Sequence, residues 1–270
     1  MRVAVLWSGG KESCLACHKV ITQGYDVAYI VTFIWDKPFL CHSLPLMSLQ
    51  STALGIPHLK IKVQEPYRKG YMEAIFSLMK TGRIEGIVTG DISIIDNVHG
   101  DWIGGVCEEV GIDIIRPLWG MSRHRILEEV ILGGFRAIFT CVRRPWFDEE
   151  WLGRELDIDC LKSLKALSDE YGIDLCGENG EYHTMVVDAP IFKEKIEISK
   201  FSKEEKKSLL FLSNIEFYLK PKFHARAPME NAKGKHQGCQ AANHHTCKPL
   251  KEKRSNLLNF LLERSHLSPR

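Results

Sequence analysis

The stretch Val3-Ala-Val-Leu-Trp-Ser-Gly-Gly-Lys-Glu-Ser13 constrains the fold of this 270-residue chain more than any other. An apolar, β-prone run ends in a Ser-Gly-Gly turn, and a helical pattern begins at once. Glycines let backbone N–H groups approach an anion closely, and a helix N-terminus adds free amides and the positive end of its dipole. Strand, loop and helix in this order describe a phosphate cradle at the carboxyl end of a first strand. The chain must therefore place that strand inside a sheet with the loop at its rim.

The first 175 residues repeat one rhythm, in which a helical pattern stops at a glycine and an apolar run follows. Gly24, Gly55, Gly82, Gly111, Gly133-Gly134 and Gly172 each precede such a run. The runs are residues 27–33, 59–63, 86–90, 112–115, 137–142 and 173–176. Glycine at a helix C-terminus takes the left-handed conformation at little cost. Strands alternating with helices imply βαβ units and a parallel sheet covered on both faces. The helices fit: Cys14, Cys17, His18 and Ile21 share one face, Ser43 caps a helix carrying Pro45, Leu46, Leu49 and Ala53, and Tyr71, Ile75, Leu78 and Met79 make a third stripe. Residues 98–110, 122–132 and 159–171 supply further helices.

The fold expected is α/β, a doubly wound parallel five-stranded sheet with a smaller C-terminal α+β domain. A boundary is expected at Pro117-Leu118-Trp119-Gly120, giving a nucleotide-binding domain over 1–118 and an acceptor domain over 119–220. Strand-like runs at 185–188, 195–198 and 215–219 belong to the second. Residues 221–270 carry 10 Lys/Arg against 3 Asp/Glu and are expected to form a disordered basic tail, with a short helix at 256–262. Without that tail the chain is acidic, so charge gives no nucleic-acid signal. No apolar run reaches membrane-span length and no signal-peptide layout is present. The nine cysteines are expected to be reduced thiols in a cytoplasmic protein.

Five stretches carry candidate chemistry. In Ser8-Gly-Gly-Lys-Glu-Ser13, Ser8, Gly9, Gly10, Lys11 and Ser13 are the phosphate-binding candidates. The pattern is neither G-x-x-x-x-G-K-[ST] nor G-x-G-x-x-G. In Gly177-Glu-Asn-Gly-Glu-Tyr-His-Thr184, Glu178 and Glu181 would be displayed together from a tight turn, although a turn with two solvated acids has the same look. Paired carboxylates can bind an ammonium or take a proton. His42 is a nucleotide-side candidate. Gly90 and Asp91 close a strand where a doubly wound sheet binds ligands, and Asp91 serves equally as a turn aspartate. Cys14 and Cys17 have C-x-x-C spacing but lie on an inward helix stripe. Cys239, His244, His245 and Cys247 in the tail offer metal-ligand types at a spacing unlike zinc fingers.

The first loop resembles the S-G-G-x-D-S loop of ATP pyrophosphatases, which split ATP between the α and β phosphates. With it, the Gly177 motif resembles the G-E-G-G-E-[YF]-E-T signature of the diphthine–ammonia ligase (diphthamide synthase) family, and His42-Ser43 with Leu49-Gln50 and Ala53-Leu-Gly-Ile-Pro57 resembles a further family segment. The resemblance runs over residues 1–220. It implies an adenine nucleotide alpha hydrolase-like, Rossmann-like sheet and an ATP-dependent ligase that activates a carboxylate as acyl-adenylate and amidates it with ammonia. It further implies Mg²⁺ held through Glu12, with catalytic roles for Lys11, Glu178 and Glu181. The protein partner would be translation elongation factor 2, carrying diphthine, and a homodimer is compatible with it. Glu12 stands where that family has Asp, Asn179 replaces a glycine, His183 replaces a glutamate, and residues 91–102 depart from the family pattern. Those departures leave open a related ATP pyrophosphatase on another acceptor, a tRNA-thiolating enzyme that uses Cys14 and Cys17, and a nucleotide-binding sensor.

Overall fold

A computed structural model describes residues 1–35, 41–94 and 101–222. Five parallel strands, β1 (Arg2–Leu6), β2 (Asp26–Ile34), β3 (His58–Lys62), β4 (Gly86–Val88) and β5 (Asp113–Ile115), form one sheet in the order β3-β2-β1-β4-β5. The chain winds outward from β1 to β3 and then crosses to the other side of β1. The reversal lies between β1 and β4, where Val5 pairs with Val88. Ligands of such sheets bind over the strand ends at this point.

Successive side chains explain why both faces are covered. Val3 and Val5 join one buried cluster, and Ala4 between them joins the other. All three are fully buried, the near-continuous apolar pattern of a parallel strand. A fully buried valine contributes about 1.5–3 kcal/mol relative to an exposed one. Helices α3 (Tyr67–Gly82) and α4 (Trp102–Val110) bury Ile75, Leu78 and Val106 on the Ala4 face. On the other face lie α1 (Lys11–Thr22), α2 (Leu44–Leu54) and α5 (Arg123–Leu132). Ser43 caps α2 by accepting from the Leu46 amide, and Pro45 stands in its first turn.

The same buried cluster runs on into a second, antiparallel sheet of order β7-β6-β9-β8. Its strands are β6 (Arg136–Arg143), β7 (Tyr182–Asp188), β8 (Glu194–Lys206) and β9 (Leu209–Pro221), with α6 (Ile158–Tyr171) before β7. The α/β class, the five parallel strands and the smaller second layer match the sequence reading.

Three details differ. Residues 173–176 are a turn, not a strand, because Asp174 folds its carboxylate back onto the Cys176 amide. The strand expected over 86–90 stops at Val88, releasing Thr89, Gly90 and Asp91 into the rim. The short runs at 195–198 and 215–219 are parts of one long hairpin, β8–β9. The tail cysteines and histidines, the 256–262 helix and residues 95–100 lie outside the described residues. Among the described residues, no helix is long and apolar enough to cross a membrane.

Candidate active site

The Ser8–Ser13 loop lies at the carboxyl end of β1 and opens α1. Gly10 occupies the N-cap position with no side-chain cap, so the cap itself supplies no acceptor for the first helical amides. Gly9 adopts φ +77°, and a Cβ there would lie 2.6 Å from Gln50 Oε1 and 2.7 Å from Met185 Cε. Glycine is therefore required by conformation and by space. Ser8 Oγ donates to Ser13 Oγ at 3.2 Å, and Ser13 Oγ also reaches the Gly10 carbonyl. Gly90 passes against the start of α1, where a Cβ would stand 2.8 Å from the Glu12 carbonyl carbon and 2.9 Å from the Ser13 nitrogen. The rim after β4 and the loop after β1 are thereby packed backbone to backbone.

Strand β7 brings the second motif to this loop. The Val186 amide donates to the Gly9 carbonyl at 2.9 Å, and the Lys11 amide donates to Thr184 Oγ1 at 3.3 Å. Gln50, fully buried on α2, joins the parts: its Nε2 donates to the Gly9 carbonyl (2.9 Å) and the Val186 carbonyl (2.7 Å), while its Oε1 accepts from Trp7 Nε1 (2.9 Å). Sequence reasoning read this helix as capped and amphipathic and gave Gln50 no role. A glutamine set among Leu46, Met47 and Ala53 on a buried face was the available signal.

The turn before β7 separates its two glutamates. Glu181 is 3% exposed. Its carboxylate accepts from the amides of Asp174 (2.8 Å) and Asn179 (2.9 Å) and from the Asn179 side chain (3.2 Å). The paired display expected for Glu178 and Glu181 does not occur, because these internal donors draw Glu181 inward. Glu178 alone faces the cleft. Asp174 accepts from the Cys176 amide and from Arg123 Nε at 3.0 Å, and Arg123 Nη2 donates to Ser93 Oγ. These two residues, also missed from sequence, tie the turn to the segment after Asp91.

Lys11 is 2% exposed and crosses from the first loop to the second. Its Nζ donates to the Cys176 carbonyl at 2.7 Å, sits 2.8 Å from Glu12 Oε1 and lies 4.5 Å above the Tyr182 ring. The contact with Glu12 is a buried ion pair, in which Oε1 faces the ammonium. Burial alone would lower the Lys11 pKa, but Glu12, Cys176 and Glu178 outweigh it and hold the ammonium charged. Burial raises the Glu178 carboxyl to about 7; Glu12 and Asp174 push the same way, against Lys11 and Arg123. Burial, with help from His183 and Lys11, lowers the His42 imidazole to about 3, so it is neutral. Its ring packs edge-on against His183 at 5.0 Å, and its Nδ1 is buried without a partner.

A cleft of about 500 Å³ is lined by Ser8, Gly10, Lys11, Glu12, Ser13, His42, Gly90, Asp91, Glu178 and His183, with Phe33, Tyr71 and Trp102 as an aromatic wall. Of the candidates in the two loops, with His42, Gly90 and Asp91, only Gly9 and Glu181 stand behind this lining. Cys14 and Cys17 are fully buried in α1, as the inward stripe required. Among the described residues, no three His, Cys, Asp or Glu side chains are placed to hold a metal by themselves. Mg²⁺ bound with phosphates needs only one or two protein carboxylates, and Glu12, a carboxylate on the cleft lining beside the loop, fits that use.

Residues 1–114 match the family model described as "Diphthamide synthase N-terminal domain", and residues 122–216 match "Diphthamide synthase C-terminal domain". Curated proteins named diphthine–ammonia ligase are similar to this chain. The mouse protein is 26% identical over 73% of this chain and 82% of its own length. The bovine protein is 25% identical over 82% and 94%, and the zebrafish protein 25% identical over 73% and 86%. A solved structure, described as a predicted subunit of tRNA methyltransferase from Methanocaldococcus jannaschii, covers 70% of this chain and 98% of its own. Its identity of 19% and TM-score of 0.40 are too low to place residues by.

Proposed function

The chain belongs to the diphthamide synthase family, whose members are ATP-using, amide-forming ligases, and from that premise we propose that its substrate carboxylate is the diphthine of translation elongation factor 2. In this reading the carboxylate attacks the α-phosphorus of ATP, pyrophosphate leaves, and ammonia attacks the acyl-adenylate to release AMP and the amide. The observation that carries the proposal is the Lys11 bridge. It holds the phosphate-type loop and the Glu178 turn on one cleft, 2.7 Å apart at Nζ and the Cys176 carbonyl.

Each residue then has a task. Ser8, Gly10 and Ser13, with the first-turn amides of α1 beyond Lys11, cradle phosphate oxygens, and Gly9 permits the turn. Lys11 offsets charge that develops at the α-phosphoryl group. Glu12 would help hold Mg²⁺, which would supply Lewis-acid polarisation of the phosphates. Gly90 and Asp91 border the ribose or the metal. Glu178, with a pKa near 7, takes a proton from ammonium and leaves ammonia beside the adenylate. Glu181 acts through the turn that carries Glu178. Neutral His42 offers an acceptor nitrogen on the nucleotide side.

Incubating the protein with ATP, Mg²⁺, ammonium and diphthine-bearing elongation factor 2 should yield AMP, pyrophosphate and an amidated factor. One observation favours a second reading, a related ATP pyrophosphatase on another carboxylate: His183, where the family has glutamate, stands in the cleft against His42. AMP formed only with a different carboxylate would decide for that reading. ATP binding without pyrophosphate release, whatever the acceptor, would decide for a sensor.

A further inference from the structure

Behind His42 and His183, at the back of the cleft lining, two cysteines from distant parts of the chain meet. Cys41 Sγ lies 2.9 Å from Cys141 Sγ. Cys41 precedes His42 on the segment leading into α2, and Cys141 lies in the middle of β6, paired in register with His183 of β7. Thr140 Oγ1 fastens the same segment by donating to the Cys41 carbonyl at 2.8 Å. A second cavity of about 450 Å³, lined by Cys41, His42, Thr140, Phe211 and Ser213, opens onto this point. Cys41 is the one partly exposed cysteine among the described residues, and the other six are buried.

We propose that Cys41 and Cys141 are a redox-active dithiol, oxidised by a hydroperoxide to a disulfide that clamps the His42 segment to β6. Forming the bond needs a further approach of less than about 1 Å. The two sulfurs are unlike. The hydrogen bond between the two sulfurs, together with His183 and Arg143, outweighs burial and lowers the Cys41 pKa; the same hydrogen bond and burial raise Cys141. Cys41 is thus the attacking thiolate and Cys141 the resolving thiol. Elsewhere, burial pushes Cys17 and Cys160 up to about 12 and Cys107 up to about 11, which makes them inert comparators. The two thiols and two histidines do not form a metal site, since no such group is placed to hold an ion among the described residues.

The chemistry balances in two steps. The Cys41 thiolate attacks a peroxide oxygen; an S–O bond forms, the O–O bond breaks, and the departing hydroxide takes a proton to become water. Cys141 then attacks the Cys41 sulfur, the S–S bond forms, and the S–O bond breaks. Hydroxide leaves with the Cys141 proton as a second water. The two thiols lose two electrons in total, and hydrogen peroxide is reduced to two waters.

The full-length protein should be treated with hydrogen peroxide at neutral pH, alkylated with N-ethylmaleimide and digested without reduction. The expected product is a Cys41–Cys141 linked peptide, two hydrogens lighter than the sum of its parts and dispersed by dithiothreitol, while Cys107 and Cys160 stay alkylatable after unfolding. The Cys141→Ser variant should accumulate a dimedone-reactive sulfenic acid at Cys41, and Cys41→Ser should yield none. Separate alkylated Cys41 and Cys141 peptides in the oxidised wild-type protein, or Cys41 carried directly to sulfinic acid without a cross-link, would overturn the proposal. The wild-type mapping decides the matter if a serine variant fails to fold, and it does not depend on which carboxylate the cleft activates.

Discussion

Lys11 and Cys176 stand 165 residues apart in the chain, yet the Lys11 ammonium donates to the Cys176 carbonyl at 2.7 Å. That bond joins the loop after β1 to the turn before β7. The charge that faces the cleft and the tie that shapes it belong to one side chain.

Replacing it should therefore damage chemistry and structure together. Lys11→Met keeps the stem and removes the charge. Pyrophosphate release should fall by about 10²–10³-fold, the range for losing one preorganised electrostatic donor. Stability should fall by about 1–3 kcal/mol as the Cys176 carbonyl loses its partner. Steady-state pyrophosphate assays and denaturant melts measure the two effects, and unchanged pyrophosphate release would remove Lys11 from the mechanism.

Glu178 predicts a pH dependence. Its folded pKa is about 7, above the ordinary carboxylate value, so the folded state binds the proton more tightly than the unfolded chain. The stability it contributes is full below the unfolded pKa near 4.5. It declines as pH rises through 7, by at most about 3 kcal/mol. Glu178→Gln should flatten this decline in melts taken from pH 4.5 to 8.5. In ammonia-dependent turnover the same variant should lose the acid limb near pH 7.

Glu181 should behave differently. Glu181→Ala leaves three donors of Asp174 and Asn179 unpaired, at about 1–3 kcal/mol for each that stays dry. The melting temperature should drop well below that of Glu178→Gln. Turnover by the residual folded protein, measured at low temperature, should keep its pH profile. A melt unchanged from wild type would mean the turn does not depend on this carboxylate.

Gln50 offers a test of how the loop is supported. Gln50→Leu is close in volume but removes the Gln50 partner of the Val186 carbonyl and the Trp7 ring N–H, and leaves the Gly9 carbonyl with the Val186 amide alone. We expect a loss of about 1–3 kcal/mol for each of the two groups that stays unpaired, and a raised KM for ATP. Equilibrium unfolding and ATP titrations check both, and an unmoved KM would separate Gln50 from loop geometry.

At Gly90 the conflict is steric. A methyl group would meet the backbone of Glu12 and Ser13 at 2.8–3.0 Å, and backbone cannot rotate away as a flexible side chain can. Gly90→Ala should weaken ATP binding at least about tenfold, the equivalent of 1.4 kcal/mol, through displacement of the α1 N-terminus. Calorimetric titration with ATP reads it directly.

The legible parts of this protein are those written in neighbouring residues. Ser8-Gly-Gly-Lys-Glu-Ser13 announced the loop because its glycines, serines and following helix are contiguous. The glycine-punctuated runs announced five strands because apolar continuity and helix stops are local signals. Gln50, Asp174 and Arg123 were silent because each works through partners far along the chain. Residues 173–176 misled because an apolar pair flanking an aspartate has strand composition, while the Asp174 carboxylate folds it into a turn.

By itself, then, the sequence determined the phosphate-type loop, the α/β class, the burial of Cys14 and Cys17 and the presence of a second acidic motif. Only the tertiary structure decided how that motif is used. Packing of β7 against the Gly9 loop places Glu178 on the cleft, while internal donors draw Glu181 away. Burial beside Glu12 brings the Glu178 pKa to about 7. Propensity and periodicity act over a few residues, whereas burial and charge neighbours are set by elements that meet only when the two sheets share a core.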